Sequence, residues 1–388
     1  MSQLFKTSHK LAGSRSKNQH ESRHGIITQN HNRGRIIISL LICLFLCSCI
    51  RDMDNNDCVT GPEIQNSWSR FEYFAYFYGR NNILLNSKVA DNQLIVTGPS
   101  CTYAIQPDQT VSGMAGATSA LWSTSVIGDV LFVKAKPSLD ELYIYPIQPG
   151  FSNDSFLHVK LQSLDENLSG VSIPNSGYIG AINDKNQFLC VVRYGDQFAC
   201  LLLDFILNYD DTGITSIKLD TFKIIEHPDL TSSQWTVDFY KDTFFVTTYR
   251  ENFVIGPDGT IELLNFADGQ GYIYDFFTGN NSLYCKAGNN IFKSDDSGKS
   301  WHKVMEGIAS NWSKFMFIKD RLMTFYGDRI FEIDLLAGCC IELDNSGIER
   351  KAITSMAELD HTVYATTYTG LYFTETERLK PKSNDAEQ

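Results

Sequence analysis

The chain has 388 residues, 43% of them apolar, which is enough for one large domain with a sizeable core. The formal charge is −12, but residues 1–35 carry +6 and residues 36–48 carry none, so the part from Cys49 onward carries −18. Such an acidic body argues against nucleic acid as a partner, because proteins that bind it need clustered Lys and Arg.

The first predicted element is an export signal. Residues 36–48 read IIISLLICLFLCS, an uninterrupted apolar run behind a basic segment. This run is shorter than the roughly 20 residues that span a bilayer. A basic region, a short apolar run and a small residue before the break are typical of a signal peptide. We therefore predict a signal peptide over residues 1–48, with a long polar first part. A buried strand or an uncleaved anchor is the alternative.

The break itself reads Leu46-Cys47-Ser48-Cys49 and resembles the lipobox of bacterial lipoproteins. The resemblance implies cleavage after Ser48 and a diacylglyceryl thioether on Cys49, with palmitate-type acyl chains holding the protein on a membrane. Ile50 stands where Asp would imply retention at the inner membrane, so we expect the outer membrane of the bacterial envelope. Residues 49–62 then form a lipidated linker.

Beyond residue 60, short aromatic and β-branched runs are broken by Gly, Asn and Asp, which is typical of an all-β fold. A polar turn followed by an apolar strand recurs along this part. The first apolar residues after these turns are Leu94, Val130, Phe188, Phe244, Leu283, Leu322 and Val363. The last four lie at intervals of 39, 39 and 41, which is the length of a four-stranded propeller blade.

This repeat predicts a seven-bladed β-propeller over residues 63–378, followed by a polar tail over residues 379–388. Six or eight blades, or a large β-sandwich, are the alternatives. The last unit has no clear outer strand after Phe373, so we predict that a strand from residues 64–90 closes the ring.

One unit contains the octapeptide SDDSGKSW, which matches the pattern S-x-D-x-G-x-[ST]-W. Its pattern residues are Ser294, Asp296, Gly298, Ser300 and Trp301. We expect Gly298 to take a positive φ in the turn between the two outer strands, and the Asp296 carboxylate to hold that turn closed. We expect the Trp301 ring to pack between blades. Weaker copies surround Gly259, Gly338 and Gly213.

This motif resembles the Asp box of the BNR-repeat propellers, a family that includes sialidases, sortilin-type receptors and photosystem assembly factors. The resemblance implies a propeller with the box at its outer edge, away from the central pocket. It therefore predicts the fold and not the activity.

No catalytic constellation emerges from the sequence. A sialidase needs an arginine cluster for the substrate carboxylate, and no such set can be assigned, although Arg250 and Arg329 follow inner strands. The histidines are scattered, and Asn208–Gly213 lacks the Glu that would complete a calcium loop. We expect no metal and no cofactor.

Seven cysteines remain after removal of the signal peptide and lipidation of Cys49. They are Cys58, Cys101, Cys190, Cys200, Cys285, Cys339 and Cys340. Cys190 and Cys200 flank a predicted turn symmetrically, which allows a cross-strand disulfide. Buried free thiols are the alternative.

Together these features favour an envelope lipoprotein whose propeller binds a protein or a glycan without catalysis. The alternatives are a glycan-active hydrolase of sialidase-like fold and an assembly factor for an envelope complex.

Overall fold

The computed structural model describes residues 67–382, with gaps at 76–82, 100, 114–124, 149–155, 165–167, 169, 175–179, 196, 231–234, 249, 265, 267–271, 310–311 and 313. The predicted signal peptide, Cys49, Cys58 and the linker 49–62 lie outside the described residues. Within the described residues, no helix is long and apolar enough to cross a bilayer.

The described residues form seven small antiparallel sheets arranged as the blades of a β-propeller. Blade 1 contains β2 Asn86–Ala90, β3 Gln93–Thr97, β4 Thr102–Ile105 and β5 Val111–Gly113. Blade 2 contains β6 Ser125–Ile127, β7 Leu131–Lys136, β8 Glu141–Pro146 and β9 Leu157–Lys160. Blade 3 contains β10 Val171–Ser172, β11 Gly180–Ile182, β12 Gln187–Tyr194, β13 Gln197–Asp210 and β14 Gly213–Glu226.

The remaining blades follow the same order of strands. Blade 4 contains β15 Trp235–Tyr240, β16 Thr243–Thr248, β17 Asn252–Ile255 and β18 Ile261–Leu263. Blade 5 contains β19 Ile273–Gly279, β20 Ser282–Ala287, β21 Asn290–Ser294 and β22 His302–Glu306. Blade 6 contains β23 Phe315–Ile318, β24 Arg321–Tyr326, β25 Arg329–Asp334 and β26 Cys339–Glu342. Blade 7 contains β27 Ile353–Leu359, β28 Thr362–Thr367, β29 Gly370–Glu375 and β1 Ser69–Arg70.

Helical structure is confined to short connections. The described α-helix is α1, Glu72–Ala75, and three 3₁₀ turns cover Pro137–Leu139, Leu161–Ser163 and Thr376–Arg378.

The seven-bladed ring confirms the predicted fold class and blade number. In blade 3, β10 and β11 both pair with the same edge of β12 and together form its first strand. Six of the seven predicted repeat anchors then lie in the second strand of a blade, and Val130 directly precedes β7. These strands have mainly apolar centres, and every residue of β3 and β20 is buried. Both faces of a blade are covered by its neighbours, so the apolar clusters lie between blades.

The ring closes with the first strand of the described chain. Strand β1 pairs antiparallel with β29, Ser69 opposite Phe373 and Arg70 opposite Tyr372. Trp68 is 1% exposed and its backbone N–H donates to the carbonyl of Ser346 at 2.9 Å. The predicted closure by a strand from residues 64–90 is confirmed.

The segment predicted as a polar tail begins at Leu379, which is buried. Its first residues lie along blade 6, where the Asp344 N–H donates to the Lys380 carbonyl at 2.9 Å and Pro381 bridges Leu343. Residues 383–388 lie outside the described residues.

The disulfide considered for Cys190 and Cys200 is wrong, since both are buried free thiols. In the β12–β13 ladder Cys190 lies opposite Leu201, and Cys200 lies opposite Val191. This offset of one residue directs the two thiols to opposite faces of blade 3, so they cannot bond. Cys190 packs toward blade 2 and Cys200 toward blade 4.

Candidate functional site in the central channel

The first strands of the blades surround a central channel that contains a cavity of about 620 Å³. Thr97, Gly98, Phe325 and Tyr368 also line it, at the ends of second strands or in the turns that follow them. Because second strands run antiparallel to first strands, these residues mark the end of the channel at which the first strands begin. This end is called the channel mouth below.

One side of the cavity carries charges. Asp238 of blade 4, Asp275 of blade 5 and Lys314, which precedes the first strand of blade 6, all line it. Each directly precedes a Phe on the first strand of its blade. Asp275 and Lys314 lie at equivalent places, whereas Asp238 lies two residues further along its strand. We call these three residues the charged arc.

Each member of the charged arc binds the backbone of the next blade. The Asp275 carboxylate accepts the N–H of Phe315 at 2.8 Å, and the Asp238 carboxylate accepts the N–H of Phe276. Lys314 Nζ donates to the Thr354 carbonyl of blade 7 at 2.9 Å. The charges therefore also join blades 4 to 7.

The carboxylates of the charged arc are partly accessible from the cavity but surrounded by protein. Burial raises the pKa of Asp238 to about 7. Burial raises the pKa of Asp275 well above its usual range, and the negative charge of Asp238 raises it further. Burial lowers the pKa of Lys314, an effect that the two carboxylates oppose. The arc can therefore hold or release a proton close to neutral pH.

A buried lysine lies behind the charged arc. Lys286, opposite Asp275 in the β19–β20 ladder, has its Nζ 4.0 Å from the ring centre of Tyr274. Burial lowers the pKa of Lys286 to about 8, while Asp275 acts in the other direction. This ammonium offsets part of the negative charge of Asp275.

The opposite side of the cavity carries hydroxyl groups, from Ser87, Thr97, Ser125, Thr354 and Ser355. We call these five residues the hydroxyl arc. The Ser87 hydroxyl donates to Ser355 Oγ at 3.1 Å, and the Thr354 hydroxyl donates to the Leu84 carbonyl at 2.7 Å. The hydroxyl arc thus joins blade 7 to blade 1 without charge.

The predicted Asp-box residues lie on the outer hairpin of blade 5, between β21 and β22, and not in the channel. Asp296 accepts the Ser300 N–H at 2.8 Å and the Ser300 hydroxyl at 2.6 Å, and Ser294 Oγ accepts the Gly298 N–H at 2.8 Å. Gly298 takes a φ of +88° as expected. The Trp301 indole N–H donates to the Gly298 carbonyl at 3.0 Å.

The Trp301 ring is partly buried beside Phe266 and Phe276, with ring centres 5.4 and 6.0 Å away. The hydrogen bonds from Ser300 and Ser294 lower the pKa of Asp296 to about 2. The whole arrangement closes a surface turn and presents nothing to the channel.

In other blades, the equivalent turn between the two outer strands is closed by an Asp carboxylate that binds the Thr two residues later. We call this Asp–Thr pair a clasp. Asp258 Oδ1 accepts the N–H and hydroxyl of Thr260 at 3.0 and 2.7 Å, and Asp210 does the same for Thr212 at 2.7 and 2.6 Å. Asp108 and Thr110 form a third clasp. Its turn contains no glycine, so the glycines that mark the weaker copies of the motif do not predict it.

None of the described arginines or histidines lines the cavity. Arg321 pairs with Glu332, and Arg329 pairs with Glu342. The described residues also contain no cluster of His, Cys, Asp and Glu that could hold a metal. Nothing in the described channel therefore resembles the arginine cluster that a sialidase needs.

Sequence reasoning missed the entire charged arc. Asp238, Asp275 and Lys314 are single ionisable residues in or beside apolar first strands, and no motif surrounds them. A usable signal was present, because Asp275 and Lys314 each lie eight residues before their repeat anchors, Leu283 and Leu322. A charge at a fixed place in successive apolar strands indicates a shared wall.

No protein-family model and no curated protein matches the chain. Among solved structures, a streptogramin B lyase is 10% identical with a TM-score of 0.55, over 79% of this chain and 96% of that chain. A catalytically inactive virginiamycin B lyase from Staphylococcus aureus with quinupristin has the same identity and TM-score, over 79% of this chain and 97% of that chain.

The extracellular domain of a one-component system from B. thetaiotaomicron is 9% identical with a TM-score of 0.48, over 79% of this chain and 40% of that chain. Likeness at such low identity shows the fold alone. The chain is similar to these proteins in being a β-propeller.

Proposed function

We propose that this protein is an envelope lipoprotein whose propeller binds a glycan at the channel mouth without cleaving it. The supporting observation is the cavity of about 620 Å³, bounded by the charged arc on one side and the hydroxyl arc on the other. Its volume lies in the range of ligand sites, roughly 300–1,000 Å³.

The chemistry of the cavity fits a polyhydroxylated ligand. Carboxylates accept hydrogen bonds from sugar hydroxyls, and Ser and Thr hydroxyls can both donate and accept. Tyr368, which lines the cavity, and Tyr326, in the neighbouring blade, are each about half exposed near the ends of second strands. A tyrosine ring offers an apolar face to the C–H surface of a sugar and a hydroxyl beside it.

The test is affinity electrophoresis of the full chain in detergent, through gels that contain soluble bacterial or host polysaccharides. We expect retardation by at least one polysaccharide, weakened about tenfold or more in Asp275→Asn, because hydrogen bonds to a charged group are strong. Asp258→Asn, on the outer edge of blade 4, is the matched control and should be retarded like the parent. Equal retardation of both variants, or none of the parent, contradicts binding at the channel.

The second candidate is a glycan-cleaving enzyme, and the observation that favours it is the pair Asp238 and Asp275. Carboxyl groups with raised pKa values can act as general acids near neutral pH. The inactive virginiamycin B lyase variant replaces a histidine, and no described channel residue here is a histidine. Turnover of fluorogenic sialosides or other glycosides that Asp238→Asn abolishes would establish the enzyme and overturn the binding module.

The proposed anchor is tested separately. Cells expressing the protein are fed labelled palmitate, and the purified chain is examined for label. We expect label on the parent and none on Cys49→Ser, with Cys58→Ser as the matched control that stays labelled. Unlabelled parent protein in the membrane fraction would contradict lipidation.

A further inference from the structure

A second lysine is buried at the junction of blades 1 and 2. Lys134, on β7, is 1% exposed. It lies two residues after Phe132, which packs against Ile95 and Ala104 of blade 1, so its side chain leaves the same face of the sheet toward that blade. Within the described residues, Lys134 Nζ has no hydrogen-bond partner and no carboxylate forms an ion pair with it.

Two buried hydroxyls at the same junction also lack partners. Ser125 is the cross-strand partner of Lys134, and it shares the blade-1 face of its strand with Ile127. Thr102 lies two residues before Ala104 and faces the junction from blade 1. In the described part of the chain, neither hydroxyl oxygen makes a hydrogen bond. Ser125 also lines the channel cavity, so the junction adjoins the mouth.

The buried positive charge at this junction forms no ion pair with a described carboxylate. Burial lowers the pKa of Lys134 to about 8, so the amine is still mostly protonated at neutral pH. The Cys101 thiol lies close enough to influence Lys134, but burial raises the thiol pKa and keeps it neutral. An unpaired cation and unbonded hydroxyls inside a protein are both unfavourable. Three buried groups that can each donate a hydrogen bond, one of them a cation, face the same junction and match the chemistry of an oxyanion.

We propose that Lys134, Ser125 and Thr102 form a binding site for a small oxyanion, the carboxylate, phosphate or sulfate group of a ligand. The ammonium supplies the charge, and the two hydroxyls donate the flanking hydrogen bonds. The oxyanion is either a free ion or an acidic group on a ligand that enters through the channel mouth. The proposal does not depend on the channel ligand being a glycan.

The test is thermal unfolding of the full chain in detergent, with increasing sodium glucuronate, phosphate or sulfate and chloride adjusted to constant ionic strength. Binding to the folded state raises the Tm in a saturable way. Ser125→Ala and Thr102→Val should each weaken the apparent Kd about tenfold, as expected for a lost hydrogen bond to a charged group. A response to glucuronate alone identifies a carboxylate ligand, and one to phosphate or sulfate alone identifies a tetrahedral ion.

Lys134→Met removes the unpaired charge at similar volume. We expect a higher Tm without added anion and no response to any of the three anions. Lys88→Met is the matched control, since Lys88 lies at the same junction but pairs with Asp129 at 2.8 Å. It should keep the full anion response.

The proposal is overturned if the parent shows no saturable rise with any of the three anions, or if Ser125→Ala and Thr102→Val respond like the parent. These two variants keep the test decisive even if Lys134→Met fails to fold. Loss of polysaccharide retardation in Asp275→Asn leaves this anion response untouched, so the two proposals fail separately.

Discussion

The two sides of the central channel link neighbouring blades through different chemistry. On blades 4 to 6, charged side chains reach across to the backbone of the next blade. From blade 7 to blade 1, neutral hydroxyls make the equivalent links. The charged arc carries carboxylates whose ionisation can respond to pH, whereas the hydroxyl links between blades 7 and 1 carry no charge. A repeat fold therefore allows function to be confined to part of a ring.

The largest expected effect comes from opening the ring on the hydroxyl side. A chain that begins at Phe71 lacks β1 and leaves β29 without its outer neighbour. We expect the single cooperative unfolding transition to be lost, because the blade 7 edge is then open. Calorimetry of this chain, beside one that begins at Ser67 and keeps β1, measures the effect. Equal Tm values would show that closure adds nothing.

Next in size is the pH response of the charged side. Burial raises the pKa of Asp238 to about 7, and the charged groups facing it are Asp275 and Lys314. The folded chain therefore holds more protons than the unfolded chain from about pH 4 to pH 7, so its stability falls as pH rises through that window.

Asp238→Asn keeps an acceptor for the Phe276 N–H and removes the ionisation. We expect a Tm several degrees higher at about pH 8 and a flatter decline of Tm between about pH 4 and 7. Part of the slope stays, since Asp275 also titrates. A variant with the slope of the parent would mean that Asp238 does not set the pH dependence.

A smaller effect is expected on the hydroxyl side. Ser87→Ala removes one neutral hydrogen bond to Ser355, so the free energy of unfolding should fall by about 0.5–1.5 kcal/mol. This loss should be the same at all pH values at which the protein folds. Urea unfolding of Ser87→Ala, Ser355→Ala and the double variant measures it, and additive losses would argue against a direct bond.

The smallest effect lies outside both arcs, at the outer turns. Asp296→Asn removes the charge that accepts bonds from Ser300, and we expect a Tm a few degrees lower at neutral pH. Hydrogen bonds hold the pKa of Asp296 at about 2, so its contribution is present above about pH 4 and is lost as pH falls toward 2. Parent and variant should converge in acid. A difference that persists at about pH 2 would contradict a charge-based clasp.

The sequence predicts the scaffold better than the site, for a physical reason. Blades repeat because each must present apolar faces to two neighbours, so Phe244, Leu283 and Leu322 recur at fixed intervals. The Gly298 turn is equally predictable from the sequence, because its positive φ favours glycine. The charged arc and Lys134 are single residues whose meaning depends on which strands become neighbours. The failed disulfide between Cys190 and Cys200 also depended on register, which spacing alone does not define.

The pairing of β1 with β29 has a consequence for how the chain folds. Arg70 and Tyr372 lie about 300 residues apart, so the last contact waits for the last blade to be synthesised. Until then the earliest segment has no partner, and such distant pairing is slow. During this interval blade 7 offers an open edge that β1 of another molecule can fill as well as its own. Concentrated refolding should therefore yield strand-exchanged dimers, and dilution should favour the closed monomer.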